Sequence, residues 1–157
     1  MFMTDQSRPN EAVLETDTLG IVTGQTIRAA GGLQYQQFLG IRYAEPPVGE
    51  LRFQPPVPLA RRGGAGRVDA REAGSACPQL AGGETVGEED CLHLNVFRPT
   101  GSGKSNLAVM VFIHGGAFMH DSSDPGKAAD TDLDTEHTHH SVLSYLHNRY
   151  TYIDTRG

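Results

Sequence analysis

The sequence predicts a β-rich domain built toward one strand covered on both faces, the placement that parallel sheets of α/β proteins give their strands. Two observations carry this expectation. Residues 13–43 alternate short runs of strand-forming residues with glycines, and Leu107–Ile113, LAVMVFI, is an apolar run without polar alternation. A third observation concerns chemistry: the apolar run stops at His114, Gly115, Gly116 and Ala117, where the backbone is almost bare. Successive N–H groups there can turn toward a ligand oxygen with no Cβ in the way. Such donors suit a reaction in which a carbonyl oxygen becomes an oxyanion. Taken alone, the apolar run also fits a buried helix segment, and the glycine pair also fits a plain turn.

In chain order, residues 1 to about 11 are polar, are broken by Pro9, and read as a disordered lead-in. Val13–Glu15, Ile21–Thr23 and Gln25–Ala29 read as short strands separated by turns at Gly20 and Gly24, and Gly31 with Gly32 precedes a longer strand over Leu33–Tyr43. The expected arrangement is a small antiparallel meander. Pro46 and Pro47 then force the chain out of the sheet, because neither offers a ladder donor. Leu92–Phe97 reads as the next strand, and Gly101–Ser105, GSGKS, as the turn that joins it to the Leu107 strand. GSGKS is not a phosphate loop, since Arg98 stands where the first glycine of that motif belongs.

Composition narrows the function. A formal charge of −6 argues against a general nucleic-acid binder, which needs a basic face. Arg61, Arg62, Arg67 and Arg71 cluster among Gly and Ala and read as a solvated loop. No apolar run approaches membrane-spanning length, and the N-terminus shows no signal-peptide core.

Four blocks in order, FLGIRYAEPPVGELRFQPP, DAREAGSACPQ, EEDCLHLNVFRP and VFIHGGAF, resemble the N-terminal part of the type-B carboxylesterases, the family that includes the cholinesterases. EDCLHLNVF is similar to the family signature EDCLYLNV, with His93 where Tyr is usual. The resemblance covers roughly residues 13–123. It implies the N-terminal part of an α/β-hydrolase fold, the meander plus the first strands of the central sheet, with the fold left incomplete by this chain. It also implies hydrolysis of a small-molecule carboxylic ester by an activated serine, without metal or cofactor. Many family members are secreted or reside in the endoplasmic reticulum, so the resemblance leaves the compartment open.

Carried over by residue, the resemblance makes Gly116 and Ala117 the oxyanion donors, with Gly115 shaping the turn. The third donor of such a hole follows the nucleophilic serine in a GxSxG elbow. No GxSxG occurs in these 157 residues, and serine, acid and histidine all follow the oxyanion loop in this fold. The chain is therefore predicted to be inactive by itself. Cys77 and Cys91 correspond to a pair that is disulfide-linked in extracellular members, with two reduced thiols as the cytosolic alternative. Arg52 and Glu89 match a structural ion pair, or else are solvated charges. Arg42 stands where Pro is common, and Trp, which would line a quaternary-ammonium site, is absent. A general carboxylesterase ancestry fits better than a cholinesterase. The alternative class is a non-catalytic adhesion member that keeps the fold without the serine.

Residues 12–123 are thus the expected family portion, and 124–157 a tail outside its pattern, irregular apart from a short helix over Ser141–Arg149. Asp130, Asp132 and Asp134 open like an EF-hand, but Thr135 and Ser141 occupy its Gly and Glu positions, so the motif fails. His137, His139 and His140 beside Glu136 lack HEXXH order and support adventitious metal binding only. The chain is expected to be poorly stable alone, because the Leu107 strand would present an apolar edge.

Overall fold

The computed structural model describes residues 10–29, 32, 34–60, 66–100 and 107–124. Residues 1–9 of the predicted lead-in, Arg61, Arg62, the 101–105 turn, and the aspartates, histidines and helix expected beyond residue 124 lie outside the described residues.

The meander forms first. β1 (Glu11–Thr16), β2 (Gly20–Arg28) and β3 (Gln34–Arg42) pair antiparallel in chain order. Between β1 and β2 the Thr16 hydroxyl accepts the Leu19 N–H at 3.0 Å and donates to the Gly20 carbonyl, so one side chain closes the turn. Order begins earlier than the sequence indicates, since β1 opens at Glu11 and the Asn10 carbonyl accepts the Thr26 N–H at 2.7 Å.

Gly24 is not a turn. It lies inside β2, where a Cβ would stand 2.2 Å from the Gln37 carbonyl oxygen and 2.6 Å from the Phe38 ring. The glycine is there for close approach: the strand crosses the fully buried Phe38, and any side chain would push the two apart.

Phe38 anchors the core with Ala12, Val22, Ile41 and Ala70, and Leu14, Leu19 and Val68 pack around it. The core is small. β4 (Arg67–Asp69) runs parallel to β2, filling the place beside Ile21–Thr23 that β3 leaves when it bends away. The bend is a bulge: Leu39 and Gly40 interrupt the register between Phe38 and Ile41, and the Leu39 N–H turns out to the Ala70 carbonyl at 2.7 Å. A two-stranded hairpin of β5 (Gln79–Ala81) and β6 (Glu84–Val86) follows. β7 (His93–Pro99) then pairs antiparallel with β3. After β3 the two-proline segment leaves the sheet as expected, closing on a 3-10 turn at Gly49–Leu51.

The Leu107–Ile113 strand does not form. These residues are exposed, Ile113 at 85% and Val109 at 80%, and they pair with no strand among the described residues. The physical reason is that a strand's polar backbone is satisfied by its neighbours, and without a ladder partner apolar side chains gain no covered face.

Candidate functional site

The glycine segment folds as a tight turn. The Gly116 carbonyl accepts the Met119 N–H at 2.9 Å and the His120 N–H at 3.1 Å, while the two central residues, Ala117 and Phe118, sit at φ of 52° and 60°. Both central residues are left-handed, the geometry of a type I′-like turn, which glycine and asparagine usually occupy. Each non-glycine residue there costs roughly 1–2 kcal/mol. Gly116 itself is at φ 101°, and a Cβ on it would meet the His120 carbonyl oxygen at 1.8 Å, so this position admits glycine alone. Among the described residues, the N–H groups of Gly116 and Ala117 donate to no protein acceptor. His114 Nδ1 lies 2.9 Å from the Gly115 carbonyl, to which it donates.

Two side-chain amides tie the end of this segment to the folded sheet. The Gln79 Nε2 donates to the Asp121 carbonyl at 3.0 Å, and the Asp121 N–H donates to Gln79 Oε1 at 2.7 Å. Asn95 Nδ2 donates to the Ser123 carbonyl at 2.6 Å, while its Oδ1 accepts the Gly40 N–H at 2.9 Å. Asn95 therefore links the β3 bulge to the chain beyond the glycine turn. Neither amide stands out in the sequence, because its partners are backbone groups 42 and 28 residues away.

Gln79 stands at the foot of a covalently closed loop. Cys77 and Cys91 are disulfide-bonded, with Cα atoms 5.0 Å apart across 14 positions, and the β5–β6 hairpin lies inside the ring. Arg52 Nε lies 2.5 Å from Glu89 Oε1, bringing the loop after the two prolines onto the same ring. Next to it Asp90 takes Arg42 in a two-point pair, Nε to Oδ1 at 3.0 Å and Nη2 to Oδ2. The Arg42 hydrogen bond holds the Asp90 carboxyl below the ordinary carboxylate range.

His93 completes that group. Its Nε2 is 3.8 Å from Asp90 Oδ1, its side chain is 8% exposed, and its Nδ1 has no partner among the described residues. Burial, followed by the Arg42 charge, pushes His93 below its usual value, while Asp90 and the Cys91 backbone pull the other way. Arg42 and His93 face each other in the β3–β7 register. Arg42 and His93 thus meet on one carboxylate, a grouping that sequence reasoning missed because Asp90 carries no motif of its own.

Two shallow concavities, one along Pro47, Leu51 and Val57 and one along Gln25, Asp69 and Arg71, share no residue with the glycine turn. Among the described residues no helix is long and apolar enough to cross a membrane, and no three His, Cys, Asp or Glu side chains gather to hold a metal.

The sequence profile of the carboxylesterase family matches residues 10–140. The chain belongs to the carboxylesterase family. It is 38% identical to a carboxylic ester hydrolase of Bombus ignitus over 110 residues, covering 65% of this chain and 20% of that protein. It is 39% identical to the acetylcholinesterase of Electrophorus electricus over 118 residues, covering 67% of this chain and 18% of the relative. The structure superimposes on the juvenile hormone esterase of Manduca sexta with a TM-score of 0.62 at 34% identity, over 78% of this chain and 25% of that one. A PNB esterase gives a TM-score of 0.59 at 38% identity, over 72% of this chain and 22% of the other. This chain thus spans about a fifth of the length of its curated relatives. Its mostly antiparallel sheet is a portion of the α/β-hydrolase fold of esterases.

Proposed function

We propose that this chain supplies the oxyanion-hole turn of a carboxylic ester hydrolase, with the Gly116 and Ala117 N–H groups as donors and Gly115 shaping their approach. The observation that carries the reading is the strained left-handed turn whose two N–H groups are committed to no acceptor among the described residues. Strain of this kind persists where surroundings hold it, and it collects at sites whose geometry matters. In the chemistry proposed, a serine Oγ attacks the ester carbonyl carbon, the π electrons move onto the carbonyl oxygen, and the two N–H groups stabilise that charge as it develops. The serine, its histidine and the acid are absent from these 157 residues as a GxSxG-based set, so the chain by itself turns over no ester. No Trp stands between Cys77 and Cys91, so this segment offers no such aromatic face to a quaternary ammonium group.

The test is a chimaera in which residues 13–123 replace the matching part of a PNB esterase, which provides the missing nucleophile. Hydrolysis of p-nitrophenyl butyrate is expected. Replacing Ala117 by its α-hydroxy-acid analogue, which exchanges the N–H for an ester oxygen and leaves φ free, is expected to lower kcat by about 100- to 1000-fold with little change in KM. The isolated chain should give no turnover and no labelling by a serine-directed fluorophosphonate. A folded chimaera with no activity, or full activity after the N–H of residue 117 is replaced by the ester oxygen, would favour the binding-only reading over the hydrolytic one.

A further inference from the structure

We propose that Gln79 is the positioning residue of the glycine turn, and that through it the Cys77–Cys91 ring controls how firmly that turn is held. The proposal rests on the reading of Gly116 and Ala117 as oxyanion donors and adds to it a means of regulation.

The segment from Leu107 to Ile113 pairs with no strand among the described residues, so no sheet ladder holds the turn from its N-terminal side. Side-chain bonds to the folded sheet are made on the other side. There Asp121 holds a φ of 89°, an unfavourable conformation for a residue with a side chain, and it is Asp121 that the Gln79 carboxamide grips. Asp121 directly follows His120, whose N–H closes the turn on the Gly116 carbonyl. The amide presents one donor and one acceptor to one donor and one acceptor of the backbone, as a neighbouring strand would. A single exposed hydrogen bond is readily exchanged for water, but a two-point pair also fixes orientation.

The amide plane is itself fixed, because Gln79 Nε2 donates to the Cys77 carbonyl at 3.1 Å as well. That carbonyl belongs to the disulfide residue. Closing the ring therefore fixes Cys77, Cys77 orients the Gln79 amide, and the amide holds Asp121. Reduction, by which two electrons and two protons from an external dithiol convert the disulfide to two thiols, frees the first link of that chain. Asn95 stays on β7 and does not depend on the ring to reach Ser123.

The experiment is amide hydrogen exchange by NMR on the full 157-residue chain, oxidised and after dithiothreitol, in the wild type, Gln79→Leu and Gln79→Glu. In the oxidised wild type the Asp121 and His120 amides are expected to be protected. Gln79→Leu should speed their exchange by roughly 3- to 10-fold while the Leu39 amide, which bonds Ala70 in the core, keeps its rate. Gln79→Glu keeps the acceptor for the Asp121 N–H but as a carboxylate turns an oxygen toward the Asp121 and Cys77 carbonyls. It should therefore lose the protection at neutral pH and regain it below about pH 4, where the protonated carboxyl again offers a donor, a recovery that a merely structural loss of packing would not show. Reduction should act like Gln79→Leu in the wild type and add nothing at Asp121 in the Leu variant. Unprotected Asp121 in the oxidised wild type, a Glu variant whose Asp121 protection does not rise when its carboxyl is protonated, or an equal effect of reduction in both backgrounds would overturn the proposal. No ester enters this measurement, so it stands or falls apart from the ester chemistry. A turn held by Gln79 whose Ala117 donor contributes nothing to rate would remove the proposed function and leave the strap.

Discussion

β3 and the Leu107–Ile113 run are both rich in strand-forming residues, yet one carries the centre of the core and the other lies in solvent. Phe38 is completely buried, and Phe112 is 54% exposed. The difference lies in pairing rather than in hydrophobicity. β3 has β2 on one side and β7 on the other, and the Leu39 N–H that leaves the ladder at its bulge finds the Ala70 carbonyl. Leu107–Ile113 has no strand beside it among the described residues, so its apolar side chains gain no covered face. An apolar run predicts that burial would be favourable, and only neighbours make it happen.

The largest test of this contrast is to truncate one side chain in each region. Phe38→Ala should cost about 3–5 kcal/mol, enough to abolish a cooperative urea transition in a small sheet, whereas Phe112→Ala should stay within about 0.5 kcal/mol. Circular dichroism during urea titration reads both, and equal losses would mean that the exposed run is packed after all. Replacing Cys77 and Cys91 together by serine comes next. Loop closure over 14 positions is expected to contribute about 3 kcal/mol, seen as a lower urea midpoint.

A smaller effect should appear as a pH dependence from the corner where β3 meets β7. The folded His93 value lies below its ordinary 6.5, so the unfolded chain takes up the proton first as pH falls. Stability from this group is therefore full above about pH 6.5 and declines below it until the folded histidine also protonates. Asp90, also depressed, acts in a lower window: its contribution is present above about 3.8 and is lost as pH falls through its folded value. His93→Phe should flatten the first window and leave the second. A decline between pH 7 and 5 that persists in His93→Phe would assign it elsewhere. Smallest of all is Arg52→Gln, since the Arg52–Glu89 pair is half-exposed and such pairs contribute about 0–1 kcal/mol. A double-mutant cycle with Glu89→Gln measures it, and a coupling well above that range would show that the pair holds the disulfide ring in place.

Much of the first half of the fold was legible because it rests on short-range rules. The turn before Gly20, the strand that follows it and the two prolines after Ala44 each depend on residues within a short stretch of chain. Gly24 was misread for the opposite reason, since its need for an empty face comes from Phe38, which only the β2–β3 pairing brings beneath it. β4 was missed because three residues running parallel to a distant strand carry no local signal.

The sequence by itself determined the meander, the departure from the sheet at Pro46 and Pro47, a turn near Gly115 and Gly116, which the structure closes from Gly116 to Met119, and, through ordered motifs, the family. These depend on backbone preferences and residue spacing. Tertiary structure decided that Leu107–Ile113 stays uncovered, that Arg42 and His93 meet on Asp90, and that Gln79 and Asn95 grip the chain beyond the turn. A side-chain amide or a carboxylate can bond almost any backbone or guanidinium that reaches it. Which one it finds is fixed by sheet register and ring closure, contacts that span tens of residues and leave no periodic trace in the chain.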